Sequence, residues 1–289
     1  MKIKSIAFIL TTSLALPCGL ALAGVPETVV IGNPGNSADS TGYGAVAYAY
    51  KIGKFEVTNR EYCEFLNAAA KTDTYELYDG RMGEGGNGGR WGGITRRGVA
   101  GRFAYSVIDG RGEQPVGYVT WESCARFCNW LSNGGGKGDT EKGVYTIKNG
   151  KVKVTDHAAL AAGKETKWVI ASENEWYKAA YYDPTKSGSG YWTYATKGGS
   201  APKANINSNN PTSAGSFAAA SAYGTFDQNG NVWEYNETQA NGKVGVRGGS
   251  FYINDIDSYL QSGTRYDDHS AKEPNYGFRV VALGGTKTK

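Results

Sequence analysis

The chain has 289 residues, with 31 Lys and Arg against 27 Asp and Glu, a formal charge of +4. So small an excess excludes nucleic acid or an anionic membrane as the expected partner, and mixed-sign charge reads as an ordinary soluble surface. With 42 Gly, 20 Tyr and few long apolar-periodic stretches, the composition points to a loop-rich fold whose core is filled by aromatic rings.

Residues 1–23 read as a secretory signal: Lys2 and Lys4, an apolar run over 6–16, and Ala21-Leu22-Ala23 as a small-x-small cleavage site. The run is too short to span a bilayer, and no later segment reads as a transmembrane helix. Cleavage near Ala23 places the expected product in the periplasm or outside the cell, and loss of the two lysines takes the charge from +4 to +2. Cys18 would be the modified residue of a lipoprotein leader, but Pro17 stands where a small residue is expected. Residues 24–289 contain no Pro/Ser linker and no composition break, so one domain is expected.

Along that domain a strand is expected over 46–52, then a helix over 58–70 with Thr58 or Asn59 as N-cap and Tyr62, Phe65, Leu66 and Ala69 facing the core. Glycines cluster at 82–101 and 133–138, which read as long surface loops. A second helix is expected over 121–131 behind Thr120, with Cys124, Phe127, Cys128 and Leu131 on one face. A hairpin of 144–147 and 151–154 turns at Asn149-Gly150. A third helix starts at Ser172, where Glu175 completes a capping box and Trp176, Ala179 and Ala180 point inward; Pro184 ends it. Strands follow at 243–247 and 278–282.

The mature chain keeps three cysteines, Cys63, Cys124 and Cys128, an odd number for an oxidising compartment. Cys124 and Cys128 stand four apart on one helix, where disulfide geometry is rarely reached. A bridge from Cys63 to one of them is therefore expected, with three buried thiols as the competing reading.

Three patches could carry chemistry or recognition. In Asp-Gln-Asn-Gly-Asn-Val-Trp-Glu at 227–234, Asp227, Asn229, Asn231 and Glu234 offer hard oxygen donors, and Gly230 permits a turn that brings in main-chain carbonyls, which suits calcium. It is not an EF-hand, because the glycine is fourth rather than sixth and the acidic closer eighth rather than twelfth; a hydrogen-bonded turn competes. His157, in an insertion after the hairpin, and His269, after Asp267 and Asp268, read as solvated residues. The stretch 251–275 has the Tyr, Asn, Asp and Ser composition of adaptable recognition loops, against a polar loop without a partner. Neither a Ser/His/Asp triad nor a phosphate-cradling loop is recognisable.

The phrase at 227–234, Arg-Gly-Gly-Ser at 247–250 and Gly-Phe-Arg-Val at 277–280 resemble, in order and spacing, the end of the formylglycine-generating enzyme (sulfatase-modifying factor) family. Stretches 50–68, 114–132 and 168–182 extend the resemblance to about 25–282. It implies the family's C-type-lectin-like variant: α+β, little regular secondary structure, termini close together. It also implies calcium held through Asp227, Asn229, Gly230, Val232 and Glu234, and a second calcium site beginning at Asn205 and Ile206. The catalytic members carry two cysteines five apart after Gly-Gly-Ser, whose soft thiolates select Cu(I). Counted from Gly248-Gly249-Ser250, those positions are Ile253 and Ser258, and neither replaces a thiolate. Ser250 is retained and reads as a turn residue. Val280 stands at the family's disulfide position, leaving Cys128 without that mate. Relatives that use iron imply histidine and carboxylate ligands, for which only His157 and His269 are at hand in the mature chain.

The expected protein is thus a secreted, calcium-stabilised binding or accessory module of this family, without the copper oxidase site. Its partner is a protein, peptide or glycan rather than nucleic acid, met by Tyr252, Asn254, Asp255, Tyr259, Arg265 and Tyr266. The alternative is an oxidoreductase of the same family, acting on a peptide or small molecule with a different metal such as iron.

Overall fold

Two Ser/Thr-x-x-Glu sequences start helices by satisfying amides on both sides of the boundary. Thr58 Oγ1 accepts from the Glu61 amide while Glu61 accepts from the Thr58 amide, and Ser172 and Glu175 repeat the exchange. The computed structural model describes residues 24–285 apart from 84–88, 137, 149–150, 154–155 and 241, so the leader at 1–23 and the Asn149-Gly150 turn lie outside the described residues.

In chain order the elements are β1 (Thr28–Ile31), β2 (Tyr50–Gly53), α1 (Asn59–Ala69), a 3-10 turn (Gly80–Met82), β3 (Ile94–Arg97), β4 (Ala104–Val107) and α2 (Trp121–Ser132). There follow β5 (Thr146–Lys148), β6 (Lys151–Lys153), α3 (His157–Ala161), β7 (Lys167–Ile170) and α4 (Glu173–Tyr181). The last third holds β8 (Trp233–Ala240), β9 (Lys243–Arg247), α5 (Ile256–Tyr259), β10 (Tyr266–Asp268), β11 (Tyr276–Phe278) and β12 (Val280–Leu283).

One sheet runs β1-β2-β12-β7 and is antiparallel throughout. Because β2 lies between β1 and β12, the two ends of the described chain meet in that sheet. A second sheet runs β10-β9-β8-β11, with β11 parallel to β8. Strands β3 and β4, and β5 and β6, form separate two-stranded antiparallel sheets. The arrangement is mixed α+β and rich in loops.

Between the sheets, α1 and α2 bury Tyr62, Phe65 and Leu66 against Cys124, Phe127, Cys128 and Leu131. Rings of Tyr62, Phe65, Phe127, Trp130 and Phe278 meet pairwise at 5.3 to 6.1 Å between centroids. Such pairs contribute about 0.5–1.5 kcal/mol each beyond burial, which accounts for the heavy use of aromatics in a fold with short strands.

Several expectations need correction. The strand expected over 46–52 begins only at Tyr50, because the backbone of Val46 bonds instead to Gly35 N and Asn36 Oδ1 in the preceding loop. The strand expected over 278–282 is broken at Arg279, whose side chain is drawn into the core. Helix α3 and strand β8 were not foreseen. The stretch 82–101 read as surface loop contains β3, and a Cβ on Gly92 would lie 2.2 Å from Met82 O and one on Gly93 2.1 Å from Asn59 Nδ2, so these two glycines permit close packing on the 3-10 turn and on the start of α1. The expected disulfide does not form: Cys63, Cys124 and Cys128 are all free and buried. Cys63 packs beside Asn67 on α1, whereas Cys124 and Cys128 enter the core from α2. Burial pushes the Cys63 thiol up to about 11 and the other two well above their ordinary value. Among the described residues no helix is long and apolar enough to cross a membrane.

Candidate functional site

The turn at 227–231 and the Arg-Gly-Gly-Ser turn are locked face to face. Gly230 N donates to Gly248 O at 2.7 Å, and Phe251 N to Asn231 O at 2.8 Å. Left-handed conformations make this possible: Asp227, Gly230, Asn231, Gly248 and Gly249 all have φ between 59° and 95°, a region that glycine takes freely and Asp or Asn more readily than other residues. A Cβ at Gly249 would meet Ile253 Cδ1 and Leu260 Cδ2 at 2.6 Å, so the second glycine is also a packing requirement.

The calcium candidates fall into two groups. Asn205 is brought against the turn, its carbonyl accepting from Asn231 N at 2.9 Å and its Nδ2 donating to Asn231 Oδ1 at 3.1 Å. Val232 is buried beside Gly277, and Ile206 packs on the edge of the core. Asp227 Oδ2 accepts from Gly215 N at 2.6 Å. Asn229 and Glu234 are committed elsewhere. The Asn229 amide bonds Ala195 N and Leu260 O. Fully buried Glu234 is held by Arg279 Nε and Nη2 at 2.5 and 2.6 Å and by Trp176 Nε1 at 2.7 Å. Arg279 also donates to Gly53 O and Phe226 O, so this fork ties the two sheets together.

A carboxylate missing from the sequence reading completes the acidic surroundings of Asp227. Glu56 is 2% exposed; Asn231 Nδ2 donates to its Oε1 at 3.1 Å, while its Oε2 has no hydrogen-bond partner. Burial pushes its carboxyl well above the ordinary range, and Asp227 and Glu234 push the same way against Arg279. Burial likewise raises Asp227. Glu56 lines a cavity of about 260 Å³ together with Glu27, Glu61 and Glu113. An orphaned buried carboxylate oxygen next to a second carboxylate fits a hard cation with oxygen ligands. No cluster of three or more His, Cys, Asp or Glu arranged for a metal occurs among the described residues, so a cation here would draw on amide and main-chain oxygens as well.

Ser250 is fully buried, its Oγ accepting from Asn275 Nδ2 at 3.2 Å. The positions that the resemblance assigns to the copper cysteines diverge: Ile253 packs inward with Gly249 and Leu260, whereas Ser258 is exposed and bonds Asp255. Of the candidate ligand residues, Asn254 and Asp255 are exposed. Tyr252, 44% exposed, meets half-buried Trp91 edge to face at 5.5 Å. Tyr259 and Tyr266 stack at 5.8 Å and both flank Trp233, with Tyr266 still 43% exposed. The three tyrosines among the six therefore fall on two separate aromatic platforms, one with Trp91 and one with Trp233. Arg265 is removed from free recognition by ion pairs to Glu173 and Asp267, both at 2.7 Å. Neither Trp91 nor Trp233 was singled out in sequence: the first sits in a glycine-rich loop, the second inside the presumed metal phrase.

His157 reverses its sequence reading. Instead of being solvated it is buried, Nδ1 lying 2.9 Å from Glu175 Oε2 and Nε2 2.8 Å from Glu237 Oε2, the latter contact off the hydrogen-bond axis and mainly ionic. Tyr48 and Tyr145 donate to the same carboxylates at 2.9 and 2.6 Å. Burial alone would lower the imidazole, but the two glutamates outweigh it and hold it up at about 10. Asp156 as N-cap followed by His-Ala-Ala-Leu-Ala was the overlooked signal for α3. His269 is exposed, as expected.

Residues 25–283 match the sequence profile of the sulfatase-modifying factor enzyme 1-like domain. Among curated proteins nothing matches the chain. Its structure is similar to the crystal structure of CarF, with a TM-score of 0.57 and 17% identity over 90% of this chain and 99% of that one. Treponema denticola variable protein 1 gives 0.53 and 17% over 88% and 94%. PvdO from Pseudomonas aeruginosa gives 0.50 and 18% over 90% and 95%. At these identities the likeness is one of fold.

Proposed function

The chain belongs to the sulfatase-modifying factor enzyme 1-like family, and we propose that within it this protein is a secreted, calcium-stabilised binding or accessory module rather than a copper-dependent oxidase. The observation that carries this reading is the divergence of Ile253 and Ser258. One side chain faces the core and the other faces solvent, and neither supplies a thiolate for Cu(I) beside Ser250. The paired aromatic platforms around Tyr252 and Tyr266 support recognition: large rigid rings supply contact area at low entropic cost.

Calcium would be held by Asp227 with the main-chain oxygens of the 227–232 turn, and the orphaned Glu56 supports a second carboxylate at the same place. The ion would neutralise two buried carboxylates that otherwise repel, and so stabilise the interlocked turns that shape the face.

Elemental metal analysis of the mature protein purified without chelators, together with oxygen uptake on a cysteine-containing sulfatase peptide, tests the reading. Calcium without copper, and no oxygen uptake, is the expected result. Stoichiometric copper or iron with peptide-dependent oxygen consumption would overturn it in favour of an oxidoreductase.

A further inference from the structure

Residues 90–111 contain five of the chain's eleven arginines, none of its twenty lysines and a single acid, Asp109. A general solubilising surface would mix both cations, as the rest of this chain does. Arginine alone, in a run of glycines, is the choice for bidentate contact with oxyanions, because its planar fork loses less freedom per hydrogen bond than a lysine.

The fold gives these arginines two different tasks. Arg111 donates from Nη1 to Gly89 O and Gly92 O and so fixes the loop that presents Arg90 and Trp91. Arg96 is wedged between the rings of Tyr78 and Phe103, at 4.7 and 4.4 Å, and paired with Asp73 at 3.0 Å, which holds the β3–β4 hairpin against α1 and its following loop. The remaining three, Arg90, Arg97 and Arg102, are exposed and have no carboxylate partner among the described residues. Arg97 and Arg102 flank the hairpin tip, and Arg97 shares an outward row with Thr95, Ala104 and Ser106, all small or polar. At the hairpin's base, Arg90 lies over Trp91, which continues into the exposed ring of Tyr252.

We propose that this face binds an acidic polysaccharide, its carboxylate or sulfate groups taken by Arg90, Arg97 and Arg102 and its sugar rings laid against Trp91 and Tyr252. The inference rests on the binding-module reading, of which it names the ligand class. A lipid bilayer fits less well, because the tip offers a single large exposed aliphatic side chain, Val99, 59% exposed, and no amphipathic helix. Flat, small side chains along the Thr95–Arg97 row leave room for an extended polymer.

Equilibrium binding of the full mature chain to polygalacturonate, dextran sulfate and neutral dextran of matched length tests it, with phosphatidylglycerol vesicles and a single-stranded oligonucleotide as competitors. Both acidic polymers are expected to bind and neutral dextran not to. Arg97→Gln/Arg102→Gln should raise Kd about tenfold, equivalent to about 1.4 kcal/mol, and Trp91→Ala should weaken binding further. The charge-matched control Lys148→Gln/Lys197→Gln, on exposed sites elsewhere, should change Kd less than about twofold. Absence of binding to either acidic polymer overturns the proposal, as does equal loss in the lysine control or tighter binding to vesicles or oligonucleotide. Such a failure leaves calcium content and oxygen uptake unchanged, and is thereby distinguished from failure of the functional reading itself.

Discussion

Nδ1 of His157 lies 2.9 Å from Oε2 of Glu175, the same oxygen that accepts the Ser172 amide at the start of α4. One carboxylate thus caps a helix and anchors the inserted helix α3, while Glu237 on β8 closes the other side of the ring.

A pH dependence follows from that cluster. The imidazole is raised from 6.5 in the unfolded chain to about 10 in the folded one, so its stabilisation is complete below pH 6.5 and is lost as pH rises from there through about 10. Replacement by His157→Gln should destabilise by roughly 3–5 kcal/mol near neutral pH, since it leaves two buried carboxylates unpaired. Thermal melts between pH 6 and 10 should show the wild-type advantage shrinking. An advantage that stays constant across that range would mean the ring is neutral.

The Arg279–Glu234 fork predicts strong non-additivity. Arg279→Met alone should cost roughly 3–5 kcal/mol, because Glu234 is left charged and dry. Adding Glu234→Gln should recover a large part of that loss, the amide still accepting from Trp176. Urea titrations of the four species check it; additive losses would show that the two residues act independently.

Thiol accessibility provides a third prediction. A chromogenic disulfide reagent should find no reactive thiol in the native mature protein, and three in denaturant, because Cys63, Cys124 and Cys128 are unbridged, buried and poorly ionised. One thiol in denaturant would restore the disulfide expectation.

Calcium should act through the Asp227 turn. In excess calcium the melting temperature should rise by an amount set by RT ln(1 + [L]/Kd), about 2.7 kcal/mol at one hundred times Kd. Asp227→Ala should lower the melting temperature and abolish the response. Glu56→Gln should raise stability in chelator, by removing a buried orphaned carboxylate, and weaken the calcium response. A full response in Asp227→Ala would rule out calcium at this turn.

What the sequence determined by itself was written in local chemistry, although the local signal for α3, Asp156 ahead of His-Ala-Ala-Leu-Ala, went unread. The N-cap at Thr58 or Asn59, the capping box at Ser172, the inward faces of α1, α2 and α4, strand β9 and the ordered phrases that mark the family all depend on residues within a few positions of one another. What it left undecided depended on partners far along the chain. Glu56 reads as one more acid beside α1 until the turn 171–175 residues later sets Asp227 and Asn231 against it. His157 reads as solvated until Glu175 and Glu237 arrive from two other elements, and the Arg279 that breaks the last strand is explained only by Glu234 on the neighbouring sheet. Burial is a property of the assembled fold, and it is burial that turns an ordinary charge into one that must be paired. Short-range pattern therefore named the family and the helices α1, α2 and α4, while the tertiary structure alone decided which charges are structural, which are orphaned and which remain free to meet a ligand.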